Sequence, residues 1–308
     1  MTTTHPETPI EGIHSIPRRA LGKTQELVPI LGLGTAPGGI GMKDDDAIQF
    51  YLRAIELGIT YIDTAPGYDR AQAQLGEVLP SRRAGLFIAS KAHTASYDDA
   101  LSMVEQNLVD LRIDQLDLVY IHSVGNLDPD EILAKDGSLA GLRKAQSQGL
   151  TRFVGITSHH LPAKSARILS NAEVDVGMFA LNPGDRHIYN FEEAVLPLAR
   201  QQSSGIAAMK VYGGAEGMKY ELGPGESFRR TAMETNGFSD HERAFRYCLD
   251  LPGVAINVIG MYRECEIKQN IRFALDYKPL AATAAAELDS AGAELAESWG
   301  EHFGPAKG

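Results

Sequence analysis

The chain has 308 residues, 44% of them hydrophobic, with 29 Lys+Arg against 40 Asp+Glu and a net charge of -11. That composition allows one α/β barrel of about 250 residues with additions, or two small domains. It speaks against general nucleic-acid or anionic-membrane binding, and no run approaches the roughly 18 apolar residues of a membrane helix.

The N-terminus opens on polar residues without an apolar signal core, so 1–16 are expected to form a disordered arm and 17–308 a single domain. The two cysteines, Cys248 and Cys265, are too few for a disulfide framework and suit a reducing cytoplasm. Residues 17–30 read as a short hairpin. Strand-like runs then recur at 31–35, 59–63, 86–91, 116–122, 152–157, 175–179, 205–210 and 254–260. Helical patterns lie between them. Ile48, Tyr51, Leu52 and Ile55 mark one, stopped by Gly58. Tyr97, Leu101, Val104, Leu108 and Leu111 mark another, with Ser96 placed to cap it and Asp98 and Asp99 in its first turn. Eight strands alternating with helices predict a parallel sheet closed into a barrel, with an open doubly wound sheet as the competitor. Residues 211–237 are glycine-rich, follow the seventh strand and are too long for a plain connection, which marks a functional or disordered loop.

Four residues stand out. Asp63, Lys91 and His122 each close a predicted strand, and Tyr68 lies five residues after Asp63. Titratable residues ending successive strands are how an α/β barrel assembles a reactive site at one rim. A Tyr near a Lys and an Asp is a proton donor whose pKa can be lowered, which suits carbonyl reduction. Singly, each has an ordinary explanation: Asp63 a turn residue, Tyr68 a loop aromatic, Lys91 a solvated strand end, His122 a satisfied core histidine. Lys91, however, follows five mostly apolar or small residues. A buried ammonium needs a carboxylate, and Asp63 is one strand away.

The segment Asp63-Thr64-Ala65-Pro66-Gly67-Tyr68 with Leu75-Gly76 resembles the signature of the aldo-keto reductase family. So do Leu21-Gly22-Lys23-Thr24, Leu31-Gly32-Leu33-Gly34-Thr35, Ile88-Ala89-Ser90-Lys91, Tyr120-Ile121-His122, Gly155-Ile156-Thr157-Ser158 and Val258-Ile259-Gly260-Met261 through Gln269-Asn270. The resemblance runs from about residue 18 to residue 275, in matching order. It implies a (β/α)8 TIM barrel with the N-terminal hairpin covering the bottom, and a catalytic tetrad of Asp63, Tyr68, Lys91 and His122. It implies hydride transfer from a nicotinamide to an aldehyde, ketone or sugar carbonyl. Tyr68 would give the proton, Lys91 held by Asp63 would lower the Tyr68 pKa, and His122 would orient the carbonyl. No metal is implied. The same groups could oxidise an alcohol or lactol, and related barrels also serve as cofactor-sensing subunits.

The segment from Gly32 to Gly38 is not a dinucleotide fingerprint, because Pro37 holds the third glycine position. The resemblance instead puts the cofactor on the rim, with Gly34 and Thr35 among its contacts. Thr157 and Ser158 stand at the carboxamide positions, where Ser-Asn is common. Asn182 matches, while Met178 replaces a typical Gln and could equally be a core methionine. Met209, Lys210, Val211 and Gly213 match the segment against the nicotinamide and pyrophosphate. Gly260, Met261 and Arg263 open a helix whose N–H groups can bind an anion. The usual 2'-phosphate residues are absent there. Arg263 or Lys268 could substitute, but Glu264 and Glu266 would repel the phosphate, so NADP is the default and NAD the alternative. Gln269 and Asn270 match the adenine contacts. Asp69 and Gln72 depart from the pattern after Tyr68. His159, His160, Arg186 and His187 are expected on rim loops, as a polar pocket wall or ordinary surface. The expected partner is a small molecule bearing a carbonyl or alcohol; the substrate and the oligomeric state are not written in the sequence.

Overall fold

The computed structural model describes residues 15–307. The arm expected over 1–16 lies outside the described residues as far as residue 14, and Ile16 is already buried in the core. Strands β1 (Arg18–Ala20) and β2 (Leu27–Pro29) pair antiparallel with Arg19 opposite Val28, which is the hairpin expected over 17–30. Eight strands follow: β3 (Leu31–Gly34), β4 (Tyr61–Asp63), β5 (Phe87–Ala92), β6 (Leu116–Ile121), β7 (Thr151–Ser158), β8 (Val176–Ala180), β9 (Gly205–Met209) and β10 (Val254–Gly260). Each pairs with its successor, and β10 pairs parallel with β3, so the sheet closes. With helices between the strands this is a (β/α)8 barrel, and the β10–β3 pairing excludes the open sheet. The expected strand bounds hold to a residue or two, the ordinary uncertainty of element ends.

Side chains alternate along a strand, so every second residue enters the lumen. Tyr61, Phe87, Ala89, Leu118, Tyr120, Val176, Met178, Ala207 and Met209 fill it, and Leu21 and Val28 of the hairpin close its lower end. The Tyr61 and Tyr120 hydroxyls meet at 3.2 Å across the lumen, and Tyr61 stacks on Phe87 at 4.9 Å. Two steps further along β4, β5 and β6 stand Asp63, Lys91 and His122. The same parity that packs the barrel therefore brings these three to its top. Gly22 lets the hairpin seal the bottom: its φ is +53°, and a β-carbon there would lie 2.2 Å from the Gly205 nitrogen. Arg19 secures the hairpin by donating to the Leu249 and Val254 carbonyls at 2.7 and 2.8 Å.

Helix Tyr97–Leu111 is capped as expected, the Ser96 hydroxyl accepting from the Asp99 N–H. It buries Ala100, Val104, Leu108 and Leu111, each large apolar side chain contributing about 1.5–3 kcal/mol. Helix Asp44–Glu56 starts on three aspartates, which suit its positive end. Its buried stripe is Ala47, Phe50, Tyr51 and Ala54, one position round from the expected Ile48, Leu52 and Ile55, which are partly buried and pack on the core. The long segment after β9 is not structureless. Ala215 bridges Thr231, and Thr231 with Glu234 forms a capping box on the short helix Ala232–Thr235. A final helix, Ala282–Trp299, buries Leu288, Gly292 and Leu295. Among the described residues no helix is long and apolar enough to cross a membrane.

Candidate active site

Parallel closure puts the C-terminal ends of all eight barrel strands at one rim, and Asp63, Tyr68, Lys91 and His122 gather there. Lys91 is 1% exposed. Its ammonium donates to Asp63 Oδ2 at 2.6 Å and to the Thr64 carbonyl at 2.9 Å, and lies 4.8 Å from the centre of the Tyr68 ring. The Tyr68 and His122 rings meet edge to face at 6.1 Å. The turn that carries Tyr68 is held from outside: the Arg70 N–H donates to the Gly39 carbonyl, and a β-carbon on Gly39 would sit 2.0 Å from the Tyr68 carbonyl oxygen. The expected ion pair of Lys91 with Asp63 is therefore present, beneath a half-buried tyrosine.

Burial raises the Asp63 carboxyl and lowers the Lys91 amine, while the attraction between them opposes both shifts. The Tyr68 hydroxyl is pushed well above the usual phenol range, first by burial, then by Asp63 and Tyr220. The net direction is opposite to the expected lowering, burial of the hydroxyl being the largest cause and the Asp63 charge the next. His122 is held well below the usual imidazole range by burial, Lys91, His93 and Lys210. His159 is lowered in the same direction, first by burial and then by Lys210. Both are neutral at pH 7 and gain a proton on unfolding, so the unfolded state binds more protons below about pH 6.5 and stability falls on acidification. Urea midpoints from pH 7 to pH 5 should show this loss, up to about 1.4 kcal/mol per pH unit for each imidazole. His122→Gln should remove one such contribution; an unchanged slope in that variant would refute the assignment.

Beside these residues a long groove runs along the rim, from Asp63 and Tyr68 past Met178, Met209 and Lys210 to Gln269, Asn270 and Phe273. The segment 214–231 roofs it. Tyr262 donates its hydroxyl to the Tyr220 carbonyl at 3.0 Å, and the Arg263 guanidinium stacks on Phe228 at 3.5 Å. Residues 30–293 match the model of the Aldo/keto reductase family. The chain belongs to the aldo/keto reductase family. Its relatives include the uncharacterized oxidoreductase YqkF of Bacillus subtilis, 27% identical over 290 residues, spanning 83% of this chain and 90% of that one. L-galactose dehydrogenase of Arabidopsis thaliana is 24% identical over 290 residues, spanning 82% and 86%. The crystal structure of a Bombyx mori aldo-keto reductase in complex with NADP shares the fold at a TM-score of 0.67 and 22% identity, covering 90% of this chain and 93% of that one.

This aldo/keto reductase is an NAD(P)-dependent oxidoreductase, and the groove suits such a cofactor. Asp63 Oδ1 is buried with no donor among the described residues, an open acceptor for a hydroxyl-bearing ligand. Gly34, Met209, Lys210 and Val211 line the groove near the tetrad. Gly260, Met261, Arg263, Gln269 and Asn270 line its far end. Other expected contacts are held inside the chain. Thr35 donates to the Asp63 carbonyl, Thr157 accepts from the Ser123 N–H, and Ser158 donates to the His160 carbonyl. Asn182 brackets the loop after β8, donating to Asp185 and to the Lys210 carbonyl. Gly213 packs under Trp299, and Gly214 faces the groove in its place.

At the start of the helix expected to offer N–H groups, Glu264–Leu275, Glu266 folds back on the residues before it. Glu266 accepts from the Tyr262 and Arg263 N–H groups at 2.7 and 3.3 Å and pairs with the Arg263 guanidinium at 2.8 Å. Lys268 pairs with Glu264 at 2.9 Å. Of the four polar rim residues, His159 lines the groove. His160 is buried behind it, Arg186 pairs with Glu192 and Asp289, and His187 meets the Asp289 carbonyl. Gln72 turns away from the groove: it is 3% exposed and donates to Ser90 and to Asn107, which in turn donates to the Lys91 carbonyl. This amide chain behind Lys91 was not expected. Its signal was Asn107, a polar residue on the apolar face that carries Val104, Leu108 and Leu111.

Proposed function

We propose that the chain reduces a carbonyl with Asp63, Tyr68, Lys91 and His122 as its catalytic group. The observation that carries this is Lys91, buried, bonded to Asp63 at 2.6 Å and 4.8 Å from the Tyr68 ring at the top of the barrel. The nicotinamide supplies the hydride. Tyr68 stays protonated at neutral pH and gives its proton to the carbonyl oxygen as the carbon is reduced. Lys91 stabilises the tyrosinate left behind, and Asp63 keeps the ammonium charged in a dry site. Neutral His122 donates a ring N–H to the carbonyl oxygen and orients it. The reverse sequence oxidises an alcohol, and the similarity to L-galactose dehydrogenase favours including sugar lactols in the test. The test is loss of dihydronicotinamide absorbance over a panel of aldehydes and ketones, with its gain over a panel of sugars. Binding of dinucleotide without turnover of any compound would point to a cofactor-sensing role and defeat the proposal.

We further infer that Glu266 weakens NADPH relative to NADH. It takes the Tyr262 and Arg263 N–H groups just before the helix and the Arg263 charge, the cation best placed for a 2'-phosphate. Glu266→Gln should tighten NADPH binding by about tenfold and leave NADH nearly unchanged, since one freed charge partner is worth on the order of 1.4 kcal/mol. Fluorescence titration of both dinucleotides reads this directly, and parallel shifts of the two would refute it.

A further inference from the structure

Lys210 follows β9 with a left-handed backbone, φ 58°, which a non-glycine residue adopts only when its surroundings hold it. They do: its carbonyl accepts from the Asn182 amide at 2.9 Å and from the Gly213 N–H at 2.7 Å. The side chain runs over Gly214, where a β-carbon would come within 3.2 Å of Lys210 Cδ. The ammonium donates to the Tyr220 hydroxyl, lies 3.9 Å from the Met218 sulfur and stands 5.8 Å from the centre of the Phe303 ring. No carboxylate pairs with it among the described residues.

The neighbouring cations differ. Lys91 has Asp63, Arg229 has Glu226 and Arg263 has Glu266, while Arg230 is exposed at the solvent edge. Lys210 is half-buried, and its charge reaches the tetrad, where it helps to keep His122 and His159 neutral. The catalytic end of the groove therefore carries one uncompensated positive charge. An ammonium has three donors, of which the Tyr220 hydroxyl takes one and the Met218 sulfur, a weak acceptor, another, leaving one open. Because the Tyr220 oxygen accepts from Lys210, its own proton is free to donate. Two converging donors and a partly desolvated charge gain most from an anion.

We propose that Lys210 and Tyr220 form an anion seat for the substrate, so that the preferred carbonyl compounds carry a carboxylate. This rests on the catalytic reading of the tetrad. The other anion that could reach Lys210 is the diphosphate of the dinucleotide, and the test separates the two.

Wild type, Lys210→Met, Lys210→Arg and Tyr220→Phe are assayed with para-carboxybenzaldehyde and para-methylbenzaldehyde, and NADPH and NADH dissociation constants are measured by fluorescence. The wild type should favour the carboxylated aldehyde. At saturating dinucleotide, Lys210→Met should raise its KM about tenfold more than that of the neutral aldehyde. Lys210→Arg should restore most of the preference, and Tyr220→Phe should lose a smaller part of it. The aldehyde preference should be lost even where each variant is saturated with dinucleotide, as its measured constants allow. Equal losses for both aldehydes, or a loss that tracks weaker dinucleotide binding, would overturn the proposal; the second result would give Lys210 to the diphosphate. The two readings fail separately. If the wild type reduces neither aldehyde, the catalytic reading falls and the seat with it. If it reduces both alike and Lys210→Met moves nothing, the seat falls and the reductase stands.

Discussion

Tyr68→Phe is expected to lower kcat by about a thousandfold, the middle of the range for removing a positioned proton donor. The change deletes one oxygen. The ring that faces Lys91 at 4.8 Å and His122 at 6.1 Å remains, so the fold and the groove should be unaltered. Dinucleotide dissociation constants should match the wild type within experimental error, and the melting temperature should change little. The loss then belongs to kcat, as it should for a group that acts in the transition state. A fall of less than tenfold would remove Tyr68 from the reaction, and water or His122 would have to be the donor.

Lys91→Met is expected to cost about 3–5 kcal/mol of stability as well as most of the activity, because it strands a carboxylate in a dry site. Asp63 is 3% exposed, one of its oxygens already lacks a donor, and the other would lose its ion pair. The double variant Asp63→Asn with Lys91→Met should recover much of that stability while remaining inactive, since it removes the orphaned charge. Urea denaturation of the wild type and these two variants reads this recovery. If Lys91→Met alone stays within about 1 kcal/mol of the wild type, the pair is not the ionic one described.

The barrel was legible because its determinants are local. Apolar runs of strand length, the Ser96 cap and Gly58 each act within a few residues, and the alternation of strand and helix leaves few topologies. Asp63, Lys91 and His122 were legible because strand parity carries them into one lumen. What the sequence hid depends on contacts far apart in the chain. The Tyr68 hydroxyl is raised rather than lowered because its surroundings are dry and the Asp63 carboxylate stands close by. Glu266 was read as a repulsive neighbour of a phosphate, yet it folds back onto the helix start and holds Arg263 itself. Gln72 gives no local sign of burial, and only its contact with Asn107 behind β5 encloses it. Thr157, Ser158 and Asn182 stand at cofactor positions by family resemblance, and their side chains bond to backbone or a neighbouring carboxylate.

The last helix sets Trp299 against the rim. Its ring edge lies where a β-carbon on Gly213 would be 2.5 Å away and one on Gly184 2.9 Å away, and it meets the tilted His302 ring at 4.9 Å. It is the only tryptophan in the chain. Its indole N–H is buried without an acceptor among the described residues, so its emission is sensitive to small changes in the polarity around it. The molecule thus contains a built-in optical gauge at the foot of the segment that roofs the groove. Ligand arrival can be timed in unlabelled protein by stopped-flow, with no signal from any other indole to subtract.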